Sequence, residues 1–238
     1  MNSGVWRYRR YRWRGTDEWL AEMGDGPPIL FVPPLFEELN RCRALIAGVM
    51  RGVAAAGFQA VLPDLPGTGE SPRALTDVRW IDWTGALGLL SFDLKARNQT
   101  PYLASFRGGC LIEDQAEVAG CWRFAPVAGD ALARDLIRAK QATLPGRKSA
   151  EDLDAQARAN VTEFAGYPVP PDIFAALTAA AVPADEVAHT VRLDTDPAAA
   201  DVKLSGKPLW RQSEPGNDPL LASALAADIV AWMRACAA

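Results

Sequence analysis

The chain has 238 residues, 49% hydrophobic and 23% charged, which is enough apolar material for one globular domain with a sizeable core. A formal charge of −4 argues against nucleic acid as the main partner, and no run of about 18 uncharged apolar residues offers a transmembrane segment. Cys42, Cys110, Cys121 and Cys236 are scattered without paired ligand spacing, so reduced thiols, no metal centre and a cytoplasmic location are expected.

Near the N-terminus, Val5-Trp6-Arg7-Tyr8-Arg9-Arg10-Tyr11-Arg12-Trp13-Arg14 mixes arginines and aromatics at strand-like spacing. No apolar stretch follows it, so it is not read as a secretory signal. It is either a basic aromatic surface for an anionic group or an edge strand whose arginines discourage unwanted pairing and lie over aromatic rings. The second reading is preferred. A second strand is expected over 18–23. The unbroken apolar run Ile29-Leu30-Phe31-Val32 suits a strand covered on both faces. After Pro33-Pro34, Asn40 is placed as the cap of a helix carrying Leu45, Ile46, Val49, Met50 and Val53 on one side, closed by Gly57. A strand over 58–64 leads into the turn-rich Leu65-Pro66-Gly67-Thr68-Gly69-Glu70-Ser71, and 80–97 reads as a helix.

Next comes Pro101-Tyr102-Leu103-Ala104-Ser105-Phe106-Arg107-Gly108-Gly109-Cys110, a β-prone run that breaks into one residue and two glycines. This is how a nucleophile elbow is built, with Arg107 at its apex. Only two or three helical turns fit before a strand over 120–124. Strands alternating with helices imply an α/β fold with a mostly parallel sheet flanked by helices. Residues 129–166 read as mainly helical, divided at Pro145-Gly146, and form a small helical cap (about 129–168) within a single domain. A helix over 172–181, strands over 187–193 and 201–204, and a final helix capped by Asn217 or Asp218 complete the chain.

Asp64-Leu65-Pro66-Gly67-Thr68-Gly69-Glu70-Ser71 and the elbow resemble the α/β-hydrolase superfamily. Within it, Pro34-Leu35-Phe36-Glu37-Glu38-Leu39-Asn40, the arginine-centred Ser105-Phe106-Arg107-Gly108-Gly109, Ala125-Pro126-Val127, and Pro208-Leu209-Trp210 with Glu214 are similar to the exosortase A system-associated hydrolase 2 family. That resemblance implies an α/β-hydrolase fold and a setting in exopolysaccharide export and protein sorting. Pro33 stands where that family carries a histidine.

A serine hydrolase of this fold needs a nucleophile at the elbow, an acid after the penultimate strand and a histidine after the last. Arg107 cannot attack a carbonyl, and only the acid place is filled, by Asp194 or Asp196. The single histidine, His189, falls on a strand before that acid and is read as a sheet residue with a satisfied hydrogen bond rather than a displaced base. Ser105 is a rescued nucleophile or a small flanking residue. Cys110 is a thiol at a helix start, where the dipole lowers its pKa, or a core residue. Glu37 and Glu38 could work as acid and base if their pKa values are pushed apart.

Arg107, Glu37, Glu38, Asp194, Trp210 and Glu214 are expected to converge beyond the strand ends. There Arg107 meets either one of these acids, as a structural ion pair, or a bound anion such as a sugar acid. Three functions follow: a non-catalytic or ligand-binding protein, a hydrolase or acyl-transfer enzyme using Glu37, Ser105 or Cys110, and an interaction module that docks a partner or forms a homodimer. No cofactor is expected.

Overall fold

The computed structural model describes residues 4–97, 100–144, 146, 148–185 and 187–237. In chain order the elements are β1 (Arg7–Trp13), β2 (Thr16–Met23), β3 (Pro28–Val32), α1 (Glu37–Ala55), β4 (Gln59–Pro63), α2 (Trp80–Ala96), β5 (Tyr102–Phe106) and β6 (Cys121–Phe124). They continue with α3 (Gly129–Thr143), α4 (Ala150–Ala159), β7 (Thr162–Phe164), β8 (Tyr167–Val169), α5 (Pro171–Ala179), β9 (His189–Leu193), β10 (Val202–Leu204) and α6 (Pro219–Cys236). Eight strands form one sheet in the order β1-β2-β4-β3-β5-β6-β9-β10. Only β1 and β2 run antiparallel to their neighbours, and β3, wholly buried, lies between β4 and β5.

One face of the sheet is covered by α1 and α6. Phe31, Phe106, Trp122 and Val191 of the strands meet Ile46, Val49 and Val53 of α1 and Leu225 and Ile229 of α6 in one apolar cluster. The two helices touch closely because α1 presents Gly48 and Gly52 to α6; a methyl group on Gly52 would sit 2.5 Å from the Ala226 Cβ. Asp218 caps α6 by accepting from the Leu221 N–H, with Pro219 at the first helical position. By length and composition α6 could cross a membrane, yet its Leu221, Leu225, Ile229 and Met233 stripe is buried in this core.

The other face departs from expectation. No α-helix follows the elbow: Arg107–Leu111 is a short 3₁₀ turn, and a loop leads on to β6. Two adjacent glycines disfavour a helix there, and Glu113 turns inward to Arg123 of β6. That face is covered instead by α2 together with the insertion between β6 and β9. Leu132 and Leu136 of α3, Leu153 of α4, and Ile173 and Phe174 of α5 share one cluster with Leu30, Val32 and Leu103 of the strands. The insertion is therefore part of the main core, and it is not purely helical, since β7 and β8 form a hairpin inside it. Pro145, half of the expected break, lies outside the described residues. The cap of α1 also differs: Phe36, not Asn40, occupies that place, and Asn40 sits in the first turn, donating to Glu37 and to the Tyr167 hydroxyl.

β1 is an edge strand. Arg7 pairs with Asp25 at 2.6 Å, Arg10 and Arg12 approach Asp17, Arg9 approaches Glu22, and Arg14 meets Asp82 at 3.1 Å. Arg10 also lies over the Trp19 ring. Acids face each of these arginines, as suits charges that blunt an edge strand against unwanted pairing.

Candidate functional site

The site begins where β3, β5 and β6 end. Val32, Ser105 and Arg123 are in register across these strands, so the residues just beyond them meet at the carboxyl edge of the sheet. Arg107 takes a left-handed backbone (φ 54°), as do Phe36 (φ 55°), Ala125 (φ 46°) and Ala165 (φ 48°). Among the described residues, only Arg14 elsewhere is a non-glycine with positive φ. Such conformations are costly for residues with a Cβ, and their gathering here concentrates backbone strain at this end of the sheet. The elbow also needs its glycines: a Cβ on Gly109 would lie 2.5 Å from the Pro33 carbonyl, against the end of β3.

Arg107 is nine-tenths buried and fully partnered. Its Nε and one terminal nitrogen donate to the two oxygens of Glu38 at 3.2 and 2.8 Å, the other terminal nitrogen donates to the Ala125 carbonyl at 3.2 Å, and the guanidinium lies 4.5 Å from the Trp210 ring centroid. Burial pushes the Glu38 carboxyl up, and the bidentate arginine pulls it back without cancelling the shift. Of the four acids open to Arg107, the fold brings in Glu38, the second residue of α1. Glu37 points to the rim, 3.5 Å from Arg41 and accepting from Asn40. Asp194 is exposed beyond β9, and Glu214 is exposed after Trp210. Neither of these two joins the pair. Glu37 and Glu38 thus have separate arginine neighbours rather than each other, which leaves no paired acid and base.

The other nucleophile candidates are placed out of reach. Ser105 is completely buried within the sheet, beside Glu113 and without a hydrogen-bond partner of good geometry. Cys110 is likewise buried, and desolvation, with Glu113 nearby, pushes its thiol well above its ordinary pKa. The helix dipole expected to activate Cys110 is absent because the helix is absent. His189 starts β9 level with Trp122, towards the amino edge of the sheet. It lies 3.1 Å from Asp228, which also accepts from the Trp122 indole at 2.7 Å, and this joins the strands to α6.

Over the elbow lies a cavity of about 490 Å³. Leu35, Leu132, Leu136, Ala139 and Ala165 give it apolar walls, Trp210 and Glu38 line it, and Glu37, Arg41, Asp135, Arg138 and Arg211 charge it. Arg41 donates to the Trp210 carbonyl at 2.8 Å and holds its Nε 3.5 Å from a Glu37 carboxylate oxygen, while the Trp210 Nε1 is a buried donor without an acceptor. The sequence pointed to Trp210 but missed Arg41, Asp135, Arg138 and Arg211. Arg41 had a legible cue, since it lies one helical turn beyond Glu37 and Glu38. The α3 residues had none, because which side of a cap helix faces the cavity is set by packing. Among the described residues, no group of three or more histidine, cysteine or acidic side chains is close enough to hold a metal.

No family model matches the chain, and no curated protein matches it in sequence. Solved structures do. The thioesterase domain from the curacin biosynthetic pathway is similar with a TM-score of 0.56 at 13% identity, over 97% of this chain and 99% of that one. An epoxide hydrolase of potato, Solanum tuberosum, gives a TM-score of 0.45 at 20% identity over 65% of this chain and 54% of its own. Epoxide hydrolase VrEH1 of Vigna radiata gives 0.42 at 19% over 52% and 40%. The chain thus spans about half the length of these epoxide hydrolases or less. Together with the strand order, the full-length match shows the α/β-hydrolase fold.

Proposed function

We propose that this α/β-hydrolase-fold protein has a degenerate triad and works by binding a small anionic molecule rather than by turning one over. One observation carries the reading: the apex that would hold an attacking oxygen is occupied by Arg107, whose guanidinium is spent on Glu38, Ala125 and Trp210. Hydrolysis needs a nucleophile within reach of a base. Ser105 and Cys110 are sealed in the core, and His189 sits beside Asp228, away from the carboxyl ends of the strands. The cavity survives beside the elbow, and its volume falls in the range of small-molecule sites.

The resemblance of its loop and elbow motifs supports, as part of the same proposal, a cytoplasmic role alongside exosortase-type sorting and exopolysaccharide systems. The test is chemical. A fluorophosphonate probe should leave the protein unlabelled, and short-chain p-nitrophenyl esters should be hydrolysed no faster than in buffer. Labelling of Ser105, or turnover abolished by Ser105→Ala, would overturn the proposal and restore the hydrolase reading.

A further inference from the structure

We infer that the cavity takes an organic anion with an alkyl body, its carboxylate or phosphate head held by the Trp210 indole N–H with Arg41 and Arg211, and its chain lying along Leu35, Leu132 and Leu136. This rests on the ligand-binding reading above and adds the class of ligand.

The unmet hydrogen-bonding capacity in the cavity wall consists of donors. Trp210 is nine-tenths buried, and its indole nitrogen, which can only donate, has no acceptor. Arg41, anchored to the Trp210 carbonyl, turns its buried Nε to Glu37 at 3.5 Å, an ion-pair contact without hydrogen-bond geometry. A buried donor left unmatched is costly, and an ionised acceptor relieves it with the stronger, charge-assisted bond. A cation could satisfy neither group.

The charges agree. Three acids and three arginines line the cavity, but Glu38 is already balanced by Arg107 from behind. That leaves Glu37 and Asp135 against Arg41, Arg138 and Arg211. Glu37 sits 3.5 Å from Arg41, and Asp135 sits 3.3 Å from Arg138. Arg211, exposed at the mouth, has no ion-pair partner among the described residues. The remaining wall is aliphatic, so the body that follows the head should be a hydrocarbon chain rather than a second polar group.

Calorimetric titration of the full chain with octanoate, octyl phosphate and octanol separates these elements. At least one of the two anions should bind about tenfold or more tightly than octanol, and which one binds identifies the head group. Trp210→Phe keeps an aromatic ring near Arg107 while removing the indole N–H and part of the bicyclic ring, and Arg211→Gln changes an exposed side chain. Each should weaken anion binding by about tenfold and change octanol binding much less. Octanol binding as tightly as both anions, no binding of either anion, or anion binding unchanged in both variants would overturn the inference. An anion that binds to a protein which also proves to hydrolyse esters would sink the non-catalytic reading and leave this one standing.

Discussion

Two buried guanidinium–carboxylate pairs stand on neighbouring strands, and they serve different ends. Arg107 and Glu38 join an elbow to a helix start at the carboxyl edge of the sheet, with an aromatic ring over the cation and a cavity on the far side of the acid. Arg123 and Glu113 join β6 to the loop that replaces the post-elbow helix, and they are sealed in, at 5% and 4% exposure. The first pair stands at the bend after β5. The second fills space that a helix would otherwise cover. The same chemistry reads as a site only where backbone strain and open volume accompany it.

The two pairs should respond differently when broken. Glu113→Ala leaves Arg123 charged and enclosed, and a guanidinium cannot escape by losing its proton. Urea unfolding should show a loss of about 3–5 kcal/mol. Glu38→Ala should cost less, about 2–3 kcal/mol, because Arg107 keeps the Ala125 carbonyl and the Trp210 face and gains access to cavity water. Equal losses would remove the distinction between a sealed pair and one at a cavity.

A smaller effect comes from pH. Burial raises both Glu38 and Glu113 above the ordinary carboxylate value. The native state therefore holds protons that the unfolded chain releases, and stability contributed by these groups falls as pH rises from about 4.3 through their elevated values. Unfolding midpoints measured across that window should decline less steeply in Glu113→Gln than in the wild type. A steeper decline in the variant would contradict the shift. The least effect is expected at the edge strand, where Arg12→Ala removes a pair that is 70% exposed on the arginine side. Thermal unfolding should move by no more than about 0.5 kcal/mol.

The readability of the chain follows the same division. The elbow could be seen because an apolar run broken by Arg107-Gly108-Gly109 is a local pattern. That Arg107 needs an acid could be seen too, but not which one. Glu37 and Glu38 are adjacent, and successive helical residues point about 100° apart. The strained entry at Phe36 turned Glu38 inward and left Glu37 at the rim. The β7–β8 hairpin was hidden because three-residue strands leave no alternating pattern. Arg123 carried an unused cue, since an arginine inside Cys121-Trp122-Arg123-Phe124 must find a buried partner.

From residue types and their order alone came the alternation of strands and helices, the α/β class, the bend after Phe106 and the cation at its tip. These depend on periodicity and steric preference, which act over a few residues. Which acid closes on Arg107, which faces of α3 and α5 replace the missing helix, and which donors are left unmatched around the cavity were decided by tertiary packing. Those outcomes depend on segments more than twenty residues apart competing for the same volume, a competition no local pattern records.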